Sequence, residues 1–233
     1  MTITEAHIEF RQSMDRLDSS AYPDFLTEQV DYFLNEAYLR YVKTRYSGNN
    51  FARESFEQVQ KRIDDLRLLV KTDYSAITTN VVEANEYLAS LDTLFSDETH
   101  ITSSSNKYML YLRGSVKVSS NNCSSSYKSI RIVRQDEIEI VKTHPFKKST
   151  IHDPAGYFIG NKLSIMTNGD FTVDNFKLTY LKYPVTVSLS GNITFETAEH
   201  THKEIIELAD YIALENIESQ RQQTKLQTQS MIE

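Results

Sequence analysis

The chain has no tryptophan, one cysteine, six glycines and four prolines in 233 residues. A single cysteine, Cys123, excludes an intrachain disulfide and reads as a chain made in a reducing compartment. Six glycines leave little room for phosphate-cradling loops, and no P-loop, dinucleotide-binding glycine pattern or nucleophile elbow occurs. No apolar run approaches the roughly 20 residues that span a bilayer. The start, Met1 to Ala6, lacks the basic and apolar regions of a signal peptide. No membrane contact is expected. A basic excess is also missing: 25 Lys and Arg face 32 Asp and Glu, for a net charge of −7. A surface that grips nucleic acid globally is therefore not expected. No repeat of fixed period is visible. What remains is a chain long enough to bury roughly 70–75% of its unfolded surface, with 14 Tyr and 11 Phe suited to polar subunit contacts.

Hydrophobic periodicity predicts helices at both ends. Residues 3–18 carry Ile3, Ala6, Phe10, Met14 and Leu17 on one face, and Thr2 with Glu5 has capping-box spacing. Ser19 to Pro23 breaks that helix. A second runs from about Asp24 to Tyr46, with Leu26, Val30, Phe33, Ala37 and Tyr41 as its stripe and Leu34, Tyr38 and Val42 widening it. Arg40, Lys43 and Arg45 suit the negative end of its dipole, and Ser47 to Asn50 ends it. A third runs from about Arg53 to Val70. Phe56, Val59, Ile63, Leu66 and Val70 face inward, while Lys61, Arg62, Asp64 and Asp65 face solvent. Near the C-terminus, Thr201 with Glu204 repeats the capping-box spacing. Ile205, Leu208, Ala209, Ile212, Ala213 and Ile217 share one face; Lys203, Glu207, Asp210 and Glu218 share the other. This helix is expected to join the N-terminal ones, so that the chain ends meet.

Between them the period changes to two. Ile77–Val82 reads as extended, and Tyr87–Phe95 fits either period. Thr99–Asn106 reads as loop. Tyr108–Val118 and Ser129–Arg134 read as a hairpin with a long Ser/Asn-rich tip, Ser119–Ser126, and a bulge at Gly114. Asp136–Thr143 is a short helix capped by Gln135 or Asp136 and ended by His144-Pro145. Pro154–Tyr157 reads as loop, and Lys162–Met166 as strand. Asn168-Gly169-Asp170 is a hairpin turn. Phe171–Val173, Phe176–Leu181 and the alternating run Val185–Phe195 read as further strands. The fold class is α+β: a helical layer of three N-terminal helices plus the C-terminal helix, with a mainly antiparallel β insertion. The expected organisation is a helical layer over 1–74, a β-rich insertion over 75–197 and the returning helix over 198–220. A polar tail, 221–233, follows; it is glutamine-rich and nearly devoid of core residues, so alone it should fray unless it orders on a neighbour.

Candidate chemistry is sparse. His200, His202 and Glu204 are the one metal-like cluster, but a helix start does not set alternate rings on one face as a strand does, and no HExxH pattern is present. Capping and loop packing explain them better. Cys123 has no evident basic partner. Asp64-Asp65 and Asp136, Glu137 and Glu139 read as solvated helix faces. Lys147-Lys148 and Arg131 with Arg134 read as ion-paired surface. No catalytic, cofactor-binding or metal-binding residue is assigned.

Three segments together resemble a known family. They are Asp136-Glu137-Ile138 with His144-Pro145-Phe146-Lys147-Lys148 and Pro154; Leu178, Tyr180-Leu181-Lys182-Tyr183-Pro184; and Phe195-Glu196 with His200 to Ala209, continuing to Glu218-Ser219. With the helical N-terminal third, they resemble the ring or head-to-tail connector (adaptor) proteins of crAss-like tailed bacteriophages. Tyr183 stands where that pattern more often carries a basic residue. The resemblance implies a non-enzymatic virion protein of the neck or tail region, made in the host bacterial cytoplasm and lacking a cofactor. It implies partners as well: copies of itself in a dodecameric ring, the portal protein, further ring or tail proteins, and double-stranded DNA in transit during ejection. The tail 221–233 and the loops Ser119–Tyr127 and His144–Tyr157 are the expected contact elements. The alternatives are another capsid or tail accessory protein, and a hydrolase using Asp136 or Glu137 with a metal.

Overall fold

A computed structural model describes residues 1–17, 25–47, 60–78, 85–91, 106–120 and 123–216. Among them are five α-helices: α1 Ile3–Leu17, α2 Thr27–Tyr46, α3 Gln60–Leu66, α4 Ile138–Thr143 and α5 His202–Asn216. The described residues also form eight strands: β1 Val70–Thr78, β2 Glu86–Ser90, β3 Tyr108–Ser120, β4 Cys123–Ser129, β5 Arg131–Ile132, β6 Ala155–Ile159, β7 Lys162–Met166 and β8 Thr172–Lys182. The fold class is α+β. The chain forms two compact units, one from Met1–Leu69 with Pro184–Glu233, the other from Val70–Thr99 with Asn106–Tyr183. The predicted breaker at Ser19–Pro23, the turn Gly48–Asn50, the third-helix start at Arg53 and the tail 221–233 lie outside the described residues.

In the first unit α5 packs against both α1 and α2. The predicted faces are largely the buried ones: Ile3, Ala6, Phe10 and Met14 on α1, and Val30, Phe33, Leu34, Ala37, Tyr38, Tyr41 and Val42 on α2; Leu26, placed on the same stripe, precedes α2 and is exposed. Phe10 stacks on Phe33 with ring centroids 6.2 Å apart. Burying each such side chain contributes roughly 1.5–3 kcal/mol. The α1 capping box forms. Thr2 N–H donates to Glu5 Oε2 at 2.8 Å and Glu5 N–H to Thr2 Oγ1 at 3.3 Å. The chain ends of this unit meet where the Met1 ammonium pairs with Glu199 at 2.8 Å.

The second unit is a barrel. Its hydrogen-bonded strand order is β4-β3-β8-β1-β2-β7-β6-β5. Strands β4 and β5 are successive halves of one run, so the order closes on itself. Counting that run once, the barrel has seven staves. An odd number cannot close with antiparallel neighbours throughout; one parallel pair is required, and β5–β6 supplies it. The inside is apolar, with Ala89, Val116, Val118, Leu163, Ile165, Phe176, Leu178 and Tyr180 in one cluster. Ile130 sits at the joint between β4 and β5, its N–H bonded to Gly114 C=O at 3.0 Å. A Cβ on Gly114 would lie 2.7 Å from Ile130 Cγ2, and one on Gly156 2.8 Å from Ile130 Cδ1. Two glycines therefore make room for the side chain that closes the barrel.

Several local expectations are corrected. The third helix ends at Leu66, a 3-10 turn covers Arg67–Leu69, and Val70 opens β1 rather than closing a helix. Within the expected loop Ser119–Ser126, Ser119 and Ser120 belong to β3 and Cys123 to Ser126 belong to β4, with Ser120 pairing with Cys123. Pro154–Tyr157 is not all loop: Ala155 begins β6. The two strands expected over Phe171–Val173 and Phe176–Leu181 are one strand, β8, which starts at Thr172 and leaves Phe171 outside it. The run Val185–Phe195 joins no sheet; a turn covers 189–192, and its sole bridge, among the described residues, is Ser188 to Ile193.

Candidate interaction surface

Of the residues singled out for chemistry, Asp65, His200 and Glu204 join one network, and Lys147 and Lys148 lie on an exposed loop. The first network ties α2, α3 and α5. Asp65 is fully buried rather than solvent-facing. It accepts a hydrogen bond from Tyr41 at 3.2 Å and lies 2.8 Å from His200 Nε2 and 3.5 Å from Arg45 Nε. Glu204 does not reach back to cap α5. It pairs with Arg45 and, at 3.3 Å, with Lys61. Thr201 instead bonds Ala198 C=O at 2.8 Å, because a 3-10 turn over Glu199–Thr201 precedes the helix. Arg62, expected outside, is buried. Burial holds the Tyr41 hydroxyl above the usual tyrosine range, the Asp65 and Glu204 charges add to this, and Arg45 opposes it. Burial works against the Arg45 charge, but Tyr41 and Glu204 outweigh it and hold the guanidinium above its ordinary value. Two cations facing two carboxylates make a clamp between helices.

His200 and His202 turn to different partners. His202 is buried, and its Nε2 donates to Thr197 C=O at 3.0 Å. Its Nδ1 is buried with no hydrogen-bond partner among the described residues. Burial lowers the His202 pKa, with the Thr197 bond opposing. The described residues contain no group of three or more His, Cys, Asp or Glu placed to hold a metal. Asp210, expected on the solvent face of α5, is buried.

The second network lies in the barrel and was not read from the sequence. Glu86 on β2 is buried. Its carboxylate accepts from Tyr157 at 3.0 Å and Ser164 at 2.6 Å, and pairs with Lys142 at 3.1 Å. Burial raises the Tyr157 hydroxyl pKa. A charged residue inside the ambiguous Tyr87–Phe95 neighbourhood was the available signal. Asp136 and Glu137 are both held by Arg134, at 3.8 and 3.2 Å on an exposed turn. Cys123 opens β4, and its side chain is outside the described set.

The loop after α4 is different in kind. Phe146 is 93% exposed, yet the loop that presents it is firmly held. Lys147 and Lys148 N–H both donate to His144 C=O at 3.1 Å. Arg131 donates to Lys147 C=O at 3.0 Å and pairs with Asp153 at 3.1 Å. Ser149 is fully buried; its Oγ accepts from Ala155 N–H at 2.9 Å and its C=O from Asn168 at 3.2 Å. Lys148 pairs with Asp170 at 3.4 Å. Scattered exposed apolar residues need no explanation. A phenylalanine held out on a preorganised loop and followed by two lysines has the form of an interface anchor, since little entropy is lost on docking.

Comparison with known proteins agrees with the resemblance. No curated protein gives a significant match. The family described as phage tail ring protein 3/4 matches residues 1–226, nearly the whole chain. That family is a structural component of phage tails. The chain belongs to the phage tail ring protein 3/4 family, the ring proteins of crAss-like phages.

Proposed function

We propose that this chain is one subunit of a closed, dodecameric ring in the neck of the virion. The ring docks on the portal, meets further ring or tail proteins and continues the DNA channel from head to tail. The observation that carries this reading is the family match over residues 1–226. Two physical features support it. A ring built by rotation needs each copy to offer two different, complementary faces, and the held-out Phe146 loop is a candidate for one of them. The net charge of −7 suits a conduit, because a lumen that does not neutralise phosphates adds little salt-dependent grip on passing DNA. The tail 221–233 serves as an arm to an adjacent subunit or the portal, where avidity within the ring multiplies weak contacts.

The role is mechanical. The helical unit builds the ring wall, and the barrel loops meet neighbouring components. The test is binding to the purified portal assembly of the same virion, followed by co-sedimentation and imaging. Stoichiometric docking at one end of the portal is expected. Failure to bind the portal, with binding to a head-vertex or tail-tip component instead, assigns the chain to an accessory position.

A further inference from the structure

We propose that the Phe146 loop of one copy docks in the groove between α1 and α5 of a second copy. This rests on the ring reading and deepens it by naming the contact that joins neighbours. The groove holds about 440 Å³ and is lined by Ile8 and Ile206, with Glu5, Glu9, Glu207 and Lys203 around them. Ile206 is buried in its floor, while Ile8 stands 51% exposed among carboxylates. With Asp210, which also lines it, four carboxylates against one ammonium leave the groove acidic. Its counterpart is Phe146 with Lys147 and Lys148, all exposed. Lys148 shares its charge with Asp170. Among the described residues, the Lys147 ammonium pairs with no carboxylate.

The two patches match in both respects that decide recognition. An aromatic ring can cover the exposed Ile8 and reach toward Ile206, and the two lysines that follow it then meet Glu9 and Glu207. Apolar contact supplies affinity, and charge complementarity fixes orientation and suppresses wrong pairings. The patches lie on different surfaces of one chain, so the contact is heterologous. Repeated about one axis through a rotation that closes, such a contact makes a ring.

The test uses the full chain at concentrations where it self-associates. A photo-crosslinking amino acid at position 146, in a mixture of isotope-labelled and unlabelled copies, is expected to crosslink between copies to residues 5–13 or 203–210. Phe146→Ala should weaken self-association on the order of thirtyfold. Lys147→Glu with Lys148→Glu, and separately Glu9→Lys with Glu207→Lys, should each weaken it about tenfold; mixing the two reversed proteins should restore it. Thermal unfolding of each variant shows whether it remains folded. Crosslinks to another surface, or wild-type association of Phe146→Ala, overturn the contact and leave the ring reading standing. Crosslinks in the groove of a species no larger than a dimer keep the contact and overturn the ring. A chain that stays monomeric overturns both.

Discussion

Asn35 and Val187, 152 positions apart, exchange two hydrogen bonds: Val187 N–H donates to Asn35 Oδ1 at 2.7 Å, and Asn35 Nδ2 donates to Val187 C=O at 2.9 Å. A helix side chain here does what a neighbouring strand does in a sheet. It satisfies both backbone groups of an extended residue whose side chain is 1% exposed. Asp31, one turn earlier, accepts from Leu189 N–H at 3.2 Å and lies 2.8 Å from His7 Nε2. The segment after Pro184 is thus fastened to α2 by two polar side chains.

Asn35→Ala should therefore cost about 2–4 kcal/mol, since two backbone groups lose their partners. Urea unfolding would read this as a lower midpoint with an unchanged slope. A loss under about 0.5 kcal/mol would mean that water replaces the amide.

Arg45→Met removes the principal cation beside buried Asp65. The expected loss is about 3–5 kcal/mol, because a charge is left uncompensated in the interior. Adding Asp65→Asn to that variant should recover part of it. A double-mutant cycle in denaturant measures the coupling; strict additivity would show that the pair does not interact.

Stability should fall on acidification through His202. Burial lowers its pKa below 6.5 in the folded chain, so between that lowered value and pH 6.5 the unfolded chain binds more protons. Unfolding free energy then rises with pH across the window, and the effect vanishes above about pH 7. His202→Gln keeps a donor for Thr197 C=O and should flatten the slope between pH 5 and 7. Equal slopes in variant and wild type would assign the pH dependence to other groups.

Deleting residues 221–233 should leave the thermal unfolding of the chain unchanged and weaken assembly. The tail carries few core residues, and its proposed contribution is to neighbours. Unchanged assembly of the truncated chain would remove the arm from the account.

The helical unit was legible because its signals are local. The apolar stripes of α1 and, apart from exposed Leu26, of α2 recur at helical spacing and are buried as expected, and Thr2 with Glu5 caps as its spacing predicts. Errors came where partners are distant. Val185 and Val187 alternate like a strand, but Asn35 occupies the place of the sheet. Thr201 and Glu204 have capping-box spacing, yet Arg45 and Lys61 take the carboxylate. Asp65 looked solvated beside Asp64 because nothing within α3 announces Tyr41 or Arg45. Gly156 in Pro154–Tyr157 looked like a turn residue; it is a strand glycine that admits Ile130. The loop Ser119–Ser126 looked long because serine and asparagine favour turns, while backbone pairing with β3 overrides that preference. The stretch His144 to Lys148 was noted in the sequence as a helix stop and a family segment. That it projects Phe146 into solvent depends on Ser149 and Arg131, whose bonds to Ala155, Asn168, Lys147 and Asp153 nothing in that stretch announces.

The central claim is that this chain closes into a ring with copies of itself. Native mass measurement of the purified full-length chain, across a concentration series, tests it most directly. The account predicts a discrete closed species of about twelve copies, with no growth beyond it. A strict monomer at high concentration, or an open distribution of ever longer chains, would contradict it.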